Sequence, residues 1–157
     1  MYFKAAVLEK KNKVRIRNLK KPKILKKGQI LVKLFYSSLC HTQLQEIEMK
    51  RGIDKYIPHC LGHEGVGIVE KIYQNCKKFK VGENVCLSWV KSGPTISNGY
   101  IYQDSKGKKI NSGPVHTLNE FAVVDQSRIY KLTEKKNLRN KVLLGCAMPN
   151  NHLIFFG

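Results

Sequence analysis

The chain has 157 residues, 42% of them hydrophobic and 9% aromatic, and its 29 lysines and arginines against 11 acidic residues give a formal net charge of +18. This length and composition are typical of one folded domain and exclude a disordered chain. No apolar run reaches the roughly 20 residues that span a bilayer, so no membrane partner is expected.

The N-terminus and the cysteines indicate the cellular compartment, and the distribution of lysines bears on whether the chain binds nucleic acid. The early charges of the N-terminus do not fit a signal peptide, and five cysteines, an odd number, favour reduced thiols. We therefore expect a cytoplasmic chain. Lysine outnumbers arginine 24 to 5 and is spread along the sequence, whereas nucleic-acid sites favour arginine. No nucleic-acid partner is expected, although a basic nucleic-acid-binding module remains an alternative.

Short β-type runs dominate the chain and are separated by polar or Gly/Pro segments. The patterns predict strands at Tyr2–Leu8, Val14–Arg17, Ile30–Tyr36, Gly65–Ile72, Val85–Val90, Gly99–Gln103, Glu120–Val124 and Arg128–Leu132. Glycines inside a strand indicate a bend or a close backbone approach, which we expect at Gly65 and Gly67. Many short strands with few helices predict a mainly β fold, a barrel-like domain.

Two helices are predicted between the strands. The first covers His41–Lys50, with Leu44 and Ile47 on a partial apolar face, and ends at Arg51-Gly52. The second covers Leu138–Cys146.

Cys40, His63 and Cys146, with Glu64 beside the histidine, form a set of residues that can bind a catalytic zinc. Two thiolates and an imidazole hold the metal and leave one position open, and ligands from separate segments are normal for such sites. No Cys-x-x-Cys pair occurs, which disfavours a zinc finger. Spacing alone leaves both a metal site and a purely structural role open.

The sequence around these residues resembles that of the zinc-dependent alcohol dehydrogenases of the medium-chain dehydrogenase/reductase family. The matching stretches are Cys40-His41-Thr42, Gly62-His63-Glu64-Gly65-Val66-Gly67-Ile68-Val69, Val81-Gly82-Glu83-Asn84-Val85 and Leu143-Leu144-Gly145-Cys146-Ala147. The resemblance implies a GroES-like catalytic domain, a partly open β-barrel with a few short helices.

The resemblance also implies a role for each matching residue. Cys40, His63 and Cys146 would bind Zn²⁺, and Glu64 would approach the metal during ligand exchange. Thr42 would hydrogen-bond the substrate oxygen and begin a proton relay. His41 would lie near the pyrophosphate of an NAD(P) cofactor. The substrate would be a small alcohol or aldehyde.

Two departures from the family pattern concern the metal. An aspartate that orients the histidine ligand is replaced by Gln43, which can still accept a hydrogen bond but carries no charge. The region from Trp89 to Gly113 holds no cysteine, so no structural zinc is expected. Trp89 fits either a substrate pocket or the core. Cys60, Cys76 and Cys86 are interpreted as reduced structural or surface thiols, and His59, His116 and His152 as residues that bind no metal.

The third departure concerns domain organisation. The resemblance stops after Pro149, and no Gly-x-Gly-x-x-Gly occurs in the sequence. We expect one catalytic domain at residues 1–149, an aberrant tail at 150–157 and no Rossmann domain, as after a truncation or frameshift. Such a chain would bind zinc weakly or partially, be inactive alone, and could self-associate through the exposed domain interface. A stand-alone metal-binding or scaffolding β-barrel is the alternative.

Overall fold

The computed structural model describes residues 1–23, 25–74, 76–133 and 137–145. Cys146, the tail at 150–157 and His152 therefore lie outside the described residues. Within them the chain forms strands β1 Tyr2–Lys10, β2 Lys13–Lys20, β3 Gln29–Ser37, β4 His59–Cys60, β5 Gly65–Ile72, β6 Asn84–Leu87, β7 Ile101–Gln103, β8 Lys109–Asn111, β9 Phe121–Asp125 and β10 Ile129–Lys131.

The helices are few and short. They are α1 His41–Ile47, a 3₁₀ turn Gln126–Arg128, α2 Leu138–Lys141 and a second 3₁₀ turn Val142–Gly145. The mainly β fold class is confirmed. The described helices include none that is long and apolar enough to cross a membrane.

The strands form two five-stranded sheets, with orders β2-β1-β4-β8-β7 and β10-β6-β5-β3-β9. Strand β3 lies inside the second sheet, and its first four residues are buried. One hydrophobic cluster includes Phe3, Leu19 and Tyr102, and a second includes Ile30 and Val85. The alternating pattern of β1 supplies the first cluster, because side chains two positions apart share a face.

The close approach predicted for the glycines of β5 is confirmed. Gly67 pairs with Leu34 of β3, and a Cβ added to Gly67 would lie 2.1 Å from the carbonyl oxygen of Lys33. At Gly65 the added atom would lie 3.1 Å from the side chain of Thr117. Strands β3 and β5 therefore pack closer than a side chain at position 67 permits.

The structure differs from the predicted elements at three places. Helix α1 ends at Ile47, before Met49 takes a positive φ of 52°. The buried residue of α1 is Gln43, whereas Leu44 of the predicted partial apolar face is 54% exposed. Strands β4 and β8, of two and three residues, were not predicted, because such short strands show no periodicity.

Candidate metal centre

Cys40 and His63 lie side by side at one end of the second sheet. The Sγ atom of Cys40 is 3.1 Å from Nε2 of His63. Cys40 is the N-cap residue of α1, with extended backbone angles, and His63 lies in the loop between β4 and β5. His63 is 9% exposed and Cys40 is half-buried. Two of the three predicted zinc ligands are thus in contact.

Backbone hydrogen bonds from two other segments hold the loop that carries His63. The N–H of Leu61 donates to the carbonyl of Ala6 in β1, at 3.1 Å, and the carbonyl of Leu61 accepts from the N–H groups of Thr117 and Leu118, both at 3.0 Å. Gly62 has a φ of +96°, and a Cβ there would lie 2.5 Å from Oγ1 of Thr117. The loop is therefore fixed before any metal binds.

Glu64, the residue after His63, is fully buried. Its carbonyl accepts hydrogen bonds from the hydroxyls of Ser37, at 3.0 Å, and Thr117, at 2.9 Å. Burial, and secondarily the charge of Glu64, raise the pKa of the Cys86 thiol to about 12. Among the described residues Glu64 does not join Cys40 and His63 in a cluster of ligand atoms within 4.8 Å. Its role at a metal stays a prediction.

His41 and Thr42 form the exposed first turn of α1, directly after Cys40. Their side chains are accessible from the solvent side of the helix. The cofactor contact predicted for His41 and the substrate contact predicted for Thr42 are therefore sterically open, and both stay predictions.

Gln43 connects the helix to the histidine loop. It is 1% exposed, and its Oε1 accepts a hydrogen bond of 2.8 Å from the N–H of Gly62, while its amide donates to Oε2 of Glu46. The acceptor bond expected of Gln43 is present, but the donor is the backbone beside His63 rather than the imidazole ring. Gln43 therefore positions His63 through the backbone of the neighbouring Gly62.

The described chain ends at Gly145, the residue before Cys146, so the third predicted ligand lies outside the described residues. The 3₁₀ turn that precedes it packs back on the second sheet: Val142 forms a hydrophobic cluster with Val66 of β5 and Cys86 of β6. Val66 is three positions after His63. The 3₁₀ turn before Cys146 is thus held against β5, the strand that follows His63.

Zinc fits the pair that the structure shows. Thiolate and imidazole are ligands that zinc prefers, and tetrahedral bonds of about 2.3 Å to sulfur and about 2.0 Å to nitrogen would separate the two ligand atoms by about 3.6 Å. The observed separation of 3.1 Å is close to that value. A small outward movement of the Cys40 side chain would admit the ion.

A second group of metal-ligand atoms, which the sequence analysis did not find, lies on the other side of Gln43. It consists of Glu46, Asp54 and His59, whose ligand atoms all lie within 4.8 Å of one another. His59 was expected to bind no metal. These residues come from α1, a loop and β4, so no linear spacing joins them.

The remaining histidine and tryptophan take structural or surface positions. His116 is fully buried, with Nε2 2.9 Å from the hydroxyl of Tyr102, and burial lowers its pKa to about 3. Trp89 is 52% exposed, with the Arg128 guanidinium 5.1 Å from its ring centroid, so core packing of Trp89 is excluded. The described cysteines, Cys40, Cys60, Cys76 and Cys86, form no disulfide with one another.

Solved structures show which class of fold this is. An alcohol dehydrogenase zinc-binding domain protein from Burkholderia ambifaria superposes with a TM-score of 0.76 at 21% identity, covering 93% of this chain and 46% of the other. Benzyl alcohol dehydrogenase from Acinetobacter calcoaceticus gives a TM-score of 0.73 at 26% identity, covering 93% and 45%. The predicted GroES-like, partly open barrel is confirmed.

The sequence comparisons identify the family. Residues 26–134 match the alcohol dehydrogenase GroES-like domain. An alcohol dehydrogenase of Geobacillus stearothermophilus is 39% identical over 91 residues, which are 57% of this chain and 26% of that protein. A Pinus taeda protein named "Probable cinnamyl alcohol dehydrogenase" is 35% identical over 136 residues, 78% and 38% of the two chains. The chain belongs to the alcohol dehydrogenase GroES-like domain family, and it spans well under half the length of these relatives.

Proposed function

We propose that this domain supplies the zinc and substrate half of an alcohol or aldehyde oxidoreductase, with Cys40, His63 and Cys146 as the metal ligands. The observation that supports this most strongly is the 3.1 Å contact between Sγ of Cys40 and Nε2 of His63. When bound there, zinc would polarise the oxygen of an alcohol or aldehyde and lower the pKa of the alcohol.

The chain's own residues would orient the substrate and move its proton. Thr42, exposed two positions after Cys40, has a hydroxyl that can donate and accept at once, so it would hydrogen-bond the substrate oxygen and pass the proton outward. His41, exposed beside it, would take the proton on or contact an anionic cofactor phosphate. Glu64, buried next to His63 in sequence, would place a negative charge near the ligands.

The hydride acceptor in this proposal is NAD(P), because zinc has no redox chemistry of its own. The 157 residues contain no Gly-x-Gly-x-x-Gly phosphate-binding motif. Assayed by themselves they should therefore bind zinc without oxidising alcohols. The free thiols of the described part support a reducing compartment, for which the cytoplasm is our proposal.

Exposed apolar side chains near the metal centre support a binding face. Leu39, Leu44 and Leu143 are 70%, 54% and 43% exposed. A second domain or a second copy of the chain would cover them, and the isolated domain is expected to self-associate.

Zinc content tests the proposal. The metal-stripped chain is incubated with excess zinc, dialysed and analysed for bound metal, alongside His63→Asn and, as a matched control, His41→Asn. We expect His63→Asn to retain one equivalent less than the wild type and His41→Asn to retain the same. Equal zinc in all three proteins would reject His63 as a ligand. Turnover of alcohol with NAD(P)⁺ by the 157 residues would reject their inactivity.

A further inference from the structure

The buried His59 presents one ring nitrogen to two partly exposed carboxylates. It is 5% exposed and lies on β4, where it pairs with Leu8 of β1 and Asn111 of β8. Its Nε2 is 2.7 Å from Oδ2 of Asp54 and 3.6 Å from Oε1 of Glu46.

The protonation of the ring is constrained by its other nitrogen. Nδ1 of His59 lies 2.9 Å from the carbonyl oxygen of Cys60, and a carbonyl can only accept, so Nδ1 carries the hydrogen. In the neutral ring Nε2 then holds a lone pair. This lone pair and two carboxylate oxygens face one another, and all are electron donors. The 2.7 Å contact of Nε2 with Oδ2 of Asp54 therefore requires a cation between them, which is either a proton on Nε2 or a metal ion bound in its place.

Other hydrogen bonds orient the two carboxylates toward that point. The second oxygen of Asp54 accepts from the N–H of Tyr56 at 2.7 Å, and the second oxygen of Glu46 accepts from the amide of Gln43. Each carboxylate therefore has one oxygen held by the protein and one turned toward His59. Metal ligands in proteins are commonly held by such outer bonds, including a histidine N–H that donates to a backbone carbonyl.

The protein does not supply the cation from its own basic residues. It has 29 lysines and arginines against 11 acidic residues, yet among the described residues no lysine or arginine forms an ion pair with Glu46 or Asp54. A carboxylate in so basic a chain that stays unneutralised by lysine or arginine is consistent with a different counterion.

We propose that Glu46, Asp54 and His59 bind a zinc ion, at a site separate from Cys40 and His63. One imidazole and two carboxylates match zinc, which accepts nitrogen and oxygen ligands and would keep a fourth position for water. The ion would join α1, the loop at Asp54 and β4. Through Gln43, which links Glu46 to the N–H of Gly62, it would also stabilise the loop of His63.

The test measures zinc binding by a variant in which the Cys40–His63 site is disabled. The full 157-residue chain carrying Cys40→Ser is stripped of metal and titrated calorimetrically with zinc chloride. We expect it to bind one zinc per chain, and the added substitution Glu46→Gln to weaken that binding by about 10-fold or more. Glu48→Gln in the same background is the control, because Glu48 lies two positions away and pairs with Lys50 instead.

Two outcomes overturn the proposal. One is the absence of zinc binding in Cys40→Ser, and the other is equal affinity of the Glu46→Gln and Glu48→Gln proteins. If Glu46→Gln fails to fold, an NMR measurement on the Cys40→Ser chain alone still tests the proposal. Long-range ¹H–¹⁵N spectra of the zinc-loaded Cys40→Ser chain at pH 8 should show an unprotonated, metal-shifted Nε2 for His59. Protons on both nitrogens would show that a proton alone is the cation. None of these results bears on whether His63→Asn loses zinc. The proposed function and the second zinc site can therefore be rejected independently.

Discussion

The 3.1 Å contact between Cys40 and His63 joins residues 23 positions apart, and the register of two strands explains it. Strands β3 and β5 are antiparallel, and Ser37 at the end of β3 pairs with Gly65 at the start of β5. Cys40 follows that pair by three residues and His63 precedes it by two. Any substitution that moves β5 against β3 should therefore also disturb the metal centre.

Substituting Gly67 tests this coupling. In Gly67→Ala the added Cβ would lie 2.1 Å from the carbonyl oxygen of Lys33, so the two strands must separate. We expect a loss of about 3 kcal/mol in the free energy of unfolding, as for overpacked cores, together with weaker zinc binding. Gly93→Ala is the control, because nothing lies within 4 Å of a Cβ there. Urea denaturation of both variants gives the comparison, and equal midpoints would contradict the close packing.

Gln43 should matter through the backbone rather than through the imidazole. Gln43→Ala leaves the buried N–H of Gly62 without its acceptor, which costs about 1–3 kcal/mol. Zinc affinity should fall by about 10–100-fold, as for other residues that hold metal ligands. Gln45→Ala, which removes a hydrogen bond from the exposed Arg51, is the matched control on the same helix. Unchanged zinc affinity in Gln43→Ala would show that the bond to Gly62 does not position the ligand.

The stability of the domain should fall in acid because of His116. Burial lowers its folded-state pKa to about 3 from an ordinary value of 6.5, so between these values the unfolded chain binds a proton that the folded chain does not. Stability is therefore lost as the pH falls from 6.5 towards 3, by up to about 1.4 kcal/mol per pH unit. His116→Gln keeps an acceptor for the Tyr102 hydroxyl and removes the titration.

Denaturation curves at several pH values check this. The slope of unfolding free energy against pH should be shallower in His116→Gln than in the wild type, whereas His41→Asn, which removes an exposed histidine, serves as the control. Identical slopes in the wild type and His116→Gln would assign the acid sensitivity to other groups.

Two buried thiols should make the folded domain less stable at alkaline pH. Burial raises the pKa of both Cys60 and Cys86 to about 12 from an ordinary 9.0. Above pH 9 the unfolded chain releases these protons while the folded chain retains them, so stability falls as the pH rises. A thiol reagent at neutral pH should label half-buried Cys76 in the folded protein but Cys60 and Cys86 only on unfolding. Mass spectrometry of labelled peptides reads this out, and labelling of Cys60 before unfolding would contradict its burial.

The sequence predicted those parts of the site that linear motifs carry. Cys40 and His63 lie in recognisable stretches, and the glycines of β5 indicate close backbone packing from the sequence alone. The cluster of Glu46, Asp54 and His59 could not be predicted, because it depends on the pairing of β4 with β1 and β8. A two-residue strand has no periodicity to detect.

The same limit applies to α1. The apolar spacing of Leu44 and Ile47 indicated a partial apolar face, but the residue of α1 that the structure buries is Gln43, which tertiary hydrogen bonds hold inside. A polar side chain can be buried when both its donor and its acceptor are satisfied, as those of Gln43 are by Glu46 and Gly62. Hydropathy patterns carry no record of such partners.

The central claim is that Cys40 is a metal ligand, and cobalt substitution tests it most directly. Co²⁺ bound to a thiolate gives a charge-transfer absorption in the near ultraviolet, which nitrogen and oxygen ligands do not give. We expect this band in the wild-type chain and in Cys76→Ser, and its marked loss in Cys40→Ser. An undiminished band in Cys40→Ser, or no band in the wild type at saturating cobalt, would contradict the account.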